Sequence, residues 1–119
     1  MYQTLDIGCG KEKHPGAIGL DMNSGVNPDV VFEITRGALL PFDDNSFDKI
    51  WMQDVLEHLD NIPWALSELH RVAKPNSLIE ARYPHFSSVN NFNDSTHVRR
   101  MGLRALEHYD PTKEYGKKY

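Results

Sequence analysis

The sequence predicts a small α/β protein, and three observations carry the prediction. Short apolar runs of strand length recur at residues 3–7, 17–21, 29–32, 47–53 and 78–83, separated by turns rich in Gly, Pro, Asn and Asp. A single longer stretch, residues 61–74, repeats its apolar positions at helical spacing, with Ala65, Leu66, Leu69, Val72 and Ala73 on one face. Residues 5–21, read as LDIGCGKEKHPGAIGLD, place two glycines directly after the first strand and an acid at the end of the second. That order suits a nucleoside ligand. Gly8 and Gly10 let the backbone turn sharply and approach a ligand closely, and the Asp21 carboxylate can accept both hydroxyls of a ribose.

Residues 3–7 form the first strand, and residues 8–16 connect it to the second, with Pro15-Gly16 marking a turn. About nine residues join the two strands, whereas a parallel crossover usually takes about a dozen or more. Spacing alone favours a hairpin, which sets Asp21 at the opposite end of the sheet from Gly8 and Gly10. Nine extended residues reach at most about 30 Å, however, so a parallel crossover without its helix is physically possible. Residues 22–28 are a second link too short for a full helix, leading to the third strand at 29–32.

The LLPF segment at 39–42 packs a loop onto the sheet, and Asp43-Asp44-Asn45-Ser46 supplies turn chemistry before the fourth strand at 47–53. Residues 55–59 read as a short helical turn. The main helix starts with Asp60 or Asn61 as its cap, carries Pro63 in its first turn and stops at Lys74 before Pro75. A fifth strand follows at 78–83. Within the strands Leu5/Ile7, Ile18/Leu20 and Ile79/Ala81 alternate with Thr4/Asp6, Ala17/Gly19 and Glu80/Arg82, a pattern that predicts a sheet well covered on one face only. Beyond it, Val98, Met101, Ala105 and Tyr109 have near-helical spacing, which predicts a short helix over 97–108 ended by Asp110-Pro111, with a frayed terminus.

At 119 residues the chain suits one domain that buries about two-thirds of its unfolded surface. A net charge of −4 argues against a nucleic-acid partner. Cys9 is the only cysteine, so no internal disulfide forms. With neither a leader nor a spanning apolar segment in view, the sequence reads as a cytoplasmic protein with no membrane association. No metal site is expected: HExxH spacing is absent, and Asp94 with His97 has no third ligand in register. Cys9 reads as a small loop residue, and His58 as a local packing residue or one bonded to backbone.

LDIGCG and GLD, then LPFDDNSFD and DVLEHL, resemble the class I S-adenosylmethionine-dependent methyltransferases of the type 11 kind, over about residues 5–84. The resemblance implies a Rossmann-like, mostly parallel sheet of strand order 3-2-1-4-5, here with shortened crossovers and without the usual last two strands, so that the chain reads as truncated. It favours the parallel crossover over the hairpin. It implies S-adenosylmethionine as cofactor, held by Asp6, Gly8 and Gly10 around the methionine part, Asp21 at the ribose, Glu33 and Ile34 at the adenine, and Gln53 at the end of the fourth strand, with Cys9 and Met22 also among the cofactor-binding residues. Glu12 stands where the family often has a third glycine.

Residues 1–84 then form the cofactor-binding core and residues 85–119 a C-terminal segment. Should the methyl acceptor arrive protonated, His85 after the fifth strand is the candidate general base, with Tyr83 and Asp54 as rivals. The implied activity is methyl transfer to a small molecule. The alternative is a non-catalytic fragment of the same fold acting as a binding or assembly module. A nicotinamide-binding protein ranks third, because Asp21 comes too early for that fingerprint. An uncovered fifth strand invites a homodimer or a partner along its edge.

Overall fold

β1, Thr4–Ile7, is the centre of a five-stranded sheet in the computed structural model, which describes residues 2–34, 39–53, 55, 58, 59 and 61–82. On one side β1 pairs with β2, Ile18–Asp21, through Leu5↔Ile18, Asp6↔Gly19 and Ile7↔Leu20. On the other it pairs with β4, Phe47–Gln53, through Leu5↔Ile50 and Ile7↔Met52. β3, Val30–Val31, flanks β2, and β5, Ala73–Arg82, flanks β4. Every pairing is parallel and the strand order is 3-2-1-4-5. The hairpin that spacing alone favours is therefore not formed. The β1–β2 crossover is made by loop, and a 3-10 turn at Ser24–Val26 is all the helix in the β2–β3 link.

Among the described residues the one α-helix, α1, spans Ile62–Val72. Asn61 caps it, its side chain accepting from the Trp64 amide at 2.9 Å, and Pro63 sits in the first turn, where a missing N–H costs nothing. The helix buries Ile62, Ala65, Leu69 and Val72 against Leu5, Ile7, Leu20, Ile50 and Met52 of the sheet. Its C-terminal carbonyls are satisfied from outside: the amides of Asn45 and Ser46 donate to Arg71 and Val72 at 2.9 and 2.8 Å.

Here one expectation is corrected. The helix ends at Val72 rather than Lys74, and the strand begins at once with Ala73, which is extended and pairs with Phe47. Pro75 disfavours a helical Lys74. Residues 74–77 then take up a register shift before Leu78 pairs with Lys49, with Asn76 turning through a φ of 64°.

The two faces of the sheet are covered differently. As the alternation predicts, the helix lies on one. On the other, Asp6 and Gly19 are nevertheless buried, because the β1–β2 loop folds back across them. Gly19 is where that contact is tightest, since a Cβ there would lie 2.7 Å from Lys13 Cδ and 2.9 Å from Cys9 Sγ. Towards β5 the cover thins, and Leu78 is exposed. Among the described residues no helix is long and apolar enough to cross a membrane.

Candidate cofactor site

Parallel strands bring their carboxyl ends together, and the chain segments leaving them enclose a cavity there of about 480 Å³. Ile7 and Gly8 line it from β1, Leu20, Asp21 and Met22 from β2, Phe32, Glu33 and Ile34 after β3, and Gln53 and Val55 at the end of β4. His58 and Leu59 also line it. The walls are thus mainly apolar, with carboxylates at Asp21 and Glu33.

Asp21 is fixed by two backbone amides. Gly10 donates to its Oδ2 at 3.0 Å and Asn23 to its Oδ1 at 2.9 Å. Each carboxylate oxygen keeps acceptor capacity for a further donor, so a vicinal diol can still be received. Gly8 has a φ of +69° and donates to the Leu20 carbonyl at 2.8 Å; a Cβ there would meet Val55 Cγ2 at 2.5 Å. Gly10 also has a positive φ, +58°, but among the described residues the space a side chain would occupy is open.

Of the residues expected at a cofactor, Gly8, Asp21, Met22, Glu33, Ile34 and Gln53 line the cavity. Asp6, Cys9 and Gly10 do not. Asp6 instead turns to the loop-covered face, where its Oδ2 accepts from the His14 amide at 3.0 Å and from His14 Nδ1 at 2.8 Å. Cys9 is buried against Gly19, and burial, reinforced by the nearby Asp21 and Asp6 carboxylates, pushes its thiol pKa up. A thiol so held is poorly suited to act as a nucleophile. His85, Tyr83 and Asp54 lie outside the described residues, as do Leu56 and Glu57 of the helical turn expected at 55–59 and the helix expected at 97–108. Among the described residues no group of three or more His, Cys, Asp or Glu gathers at one point.

Sequence reasoning missed two features that shape the site. His58 lines the cavity and is exposed there. The loop after β3 is pinned to α1 by a buried carboxylate: Glu68 Oε1 accepts from the Leu40 amide at 2.7 Å, and Arg71 binds both Glu68 oxygens and the carbonyls of Leu40 and Phe42. Arg71, and then the Leu40 amide, hold the Glu68 carboxyl below its usual range despite burial, which opposes the shift. An acid at that position of an amphipathic face was the available signal, because a buried carboxylate needs partners.

The family model described as "Methyltransferase domain" matches residues 5–80, more than half of the chain. The chain belongs to the class I S-adenosylmethionine-dependent methyltransferase family. Within that family this methyltransferase domain is 53% identical over 38 residues to 2-phytyl-1,4-naphtoquinone methyltransferase of Nostoc punctiforme, covering 32% of this chain and 16% of that protein. It is 31% identical over 99 residues to demethylmenaquinone methyltransferase of Renibacterium salmoninarum, covering 70% of this chain and 42% of that one.

Among solved structures, a SAM dependent methyltransferase from Archaeoglobus fulgidus superposes with a TM-score of 0.73 at 25% identity, over 89% of this chain and 57% of its own. The YcgJ protein from Bacillus subtilis shares the fold, with a TM-score of 0.67 at 24% identity over 89% and 58%. The domain spans less than half the length of either named quinone methyltransferase.

Proposed function

We propose that the cavity holds S-adenosylmethionine and that residues 1–84 form the cofactor-binding core for methyl transfer to a small-molecule acceptor of the quinone class. The observation that carries this reading is Asp21: a carboxylate fixed by the Gly10 amide at the edge of a cavity built from strand carboxyl ends. The lining fits the cofactor. Asp21 suits the ribose diol, the apolar wall of Phe32 and Ile34 beside Glu33 suits the adenine, and Gly8, the part of the glycine turn that lines the cavity, suits the amino-acid part. The names of the two relatives, which act on a phytylated naphthoquinone and on demethylmenaquinone, favour an aromatic acceptor.

S-Adenosylmethionine, when bound, supplies an electrophilic methyl group on a sulfonium. The protein's own contribution is then placement. Asp21 and the glycine turn fix the cofactor's orientation, and the apolar walls exclude water, so that the acceptor meets the methyl carbon in line. A general base is required only for an acceptor that arrives protonated.

Titration calorimetry with S-adenosylmethionine and its demethylated product tests the reading. The wild-type chain should bind both saturably. Asp21→Ala should weaken binding by at least about tenfold, the effect of losing a charged hydrogen-bond acceptor. Methyl transfer from labelled cofactor to reduced 1,4-naphthoquinone then tests the acceptor class. Binding without transfer to any acceptor supports the alternative, a cofactor-binding module of the same fold, while an absence of binding overturns the proposal.

A further inference from the structure

Resting on the reading of the cavity as a cofactor site, we infer that His14 is a positioning residue, bracketing the glycine turn from the far face of the sheet. The β1–β2 crossover has no helix to stiffen it, so the turn that presents Gly8 and Gly10 depends on point attachments. Three are present. At its start the amides of Gly8 and Cys9 donate to the Leu20 carbonyl at 2.8 and 3.2 Å. In its middle the Gly10 amide meets Asp21. At its end, beyond Lys11 and Glu12, which are exposed, stands His14.

The His14 attachment is the most elaborate of the three. Its ring stacks on Trp51 of β4 with centroids 4.2 Å apart and planes within 6° of parallel. Its Nδ1 and its amide both lie within hydrogen-bond distance of Asp6 Oδ2, on β1. A carboxylate oxygen taking a second bond is an acceptor, so the ring donates from Nδ1. Asp6 is 4% exposed, and a buried carboxylate left without these donors is costly. His14 thereby joins the loop to two neighbouring strands at once. Lys13, paired with Asp29 at 2.8 Å, adds a tie to the segment entering β3.

The functional consequence follows from population arithmetic. A ligand that needs the glycine turn in one arrangement binds with an apparent Kd raised by the inverse of the fraction of chains that hold it. If releasing the loop at His14 lets the turn occupy that arrangement about a tenth of the time, affinity falls about tenfold although His14 itself does not line the cavity. The core on the helix side is untouched by the same change.

Three variants separate the contributions. His14→Ala removes ring and donor, His14→Phe keeps the stack without the donor, and His14→Asn keeps a donor near the Nδ1 position without the stack. Calorimetry should show the Kd for S-adenosylmethionine raised about tenfold in His14→Ala and by less in the other two, with Tm lowered less than in Leu69→Ala. Amide exchange at Gly10, read by NMR without ligand, should accelerate about tenfold in His14→Ala. An unchanged Kd in His14→Ala overturns the inference while leaving the cofactor site standing. So does a loss of affinity no larger than that of Leu69→Ala at the same fraction unfolded. If the wild-type chain fails to bind, the cofactor reading falls, and unaltered Gly10 exchange in His14→Ala then overturns the bracket as well.

Discussion

The helix-covered and loop-covered faces of the same sheet are held by different physics. Under α1, Leu5, Ile7, Leu20, Ile50, Met52 and Val72 are all at most 2% exposed, and the contact is apolar throughout except at Glu68. Under the β1–β2 loop, beside the close packing at Gly19, the contact includes a carboxylate taking two bonds, a stacked ring pair, and Lys49 placed 3.9 Å above the Trp51 ring. Apolar burial is large and tolerant of direction, whereas hydrogen bonds and ring stacking are smaller and depend on geometry. The first face therefore supplies stability, and the second supplies placement of the glycine turn.

The sharpest way to break that contrast is to truncate each face in turn. Leu69→Ala, under the helix, should cost about 2–5 kcal/mol in chemical denaturation. Glu68→Gln should come next, at about 2 kcal/mol near neutral pH, since the side chain keeps one acceptor for Leu40 but loses its charge towards Arg71. Its effect also depends on pH. The Glu68 carboxyl is held below its unfolded value, so its contribution is complete above that value, about 4.3, and is lost as pH falls through the lower folded value. The gap between wild type and Glu68→Gln, followed by circular dichroism during acid titration, should accordingly close below about pH 4. Trp51→Ala, on the loop side, should cost least, about 1–2 kcal/mol, because Trp51 is only half-buried and its partner is a loop ring. If Trp51→Ala destabilises the chain as much as Leu69→Ala, the division between the faces is wrong.

Local signals in the sequence located β4, placed β1 and β2 within a residue, and placed the start of α1 where Asn61 and Pro63 act together. Turn and cap chemistry is written in adjacent residues, so it can be read there. The direction of β2 cannot, because a loop of nine residues permits either sense and spacing pointed to the wrong one. The strand order was legible only through the resemblance carried by LDIGCG, GLD and LPFDDNSFD. β3 is shorter than the apolar run suggests, and the Asp29 carboxylate just before it accepts from the Gly19 amide and from Lys13.

The site was legible in the same uneven way. Gly8 and Asp21 declare themselves by residue type and order. His14 has no such signature, because its partners Asp6 and Trp51 are brought beside it only when β1 and β4 pair. Gly19 did leave a trace: an isolated glycine within a strand marks close approach of another segment.

The helix-free crossover also bears on how the chain folds. Leu5 meets Ile18 across a short loop but meets Ile50 across most of the described chain. Closure entropy rises with the length of chain enclosed, so the β1–β2 pair is the cheaper one to nucleate. The prediction is a folding transition state polarised towards β1 and β2, with φ-values higher for Ile18→Val than for Ile50→Val in denaturant-jump kinetics. On that route the glycine turn and Asp21 come together before β4 arrives to complete the cavity.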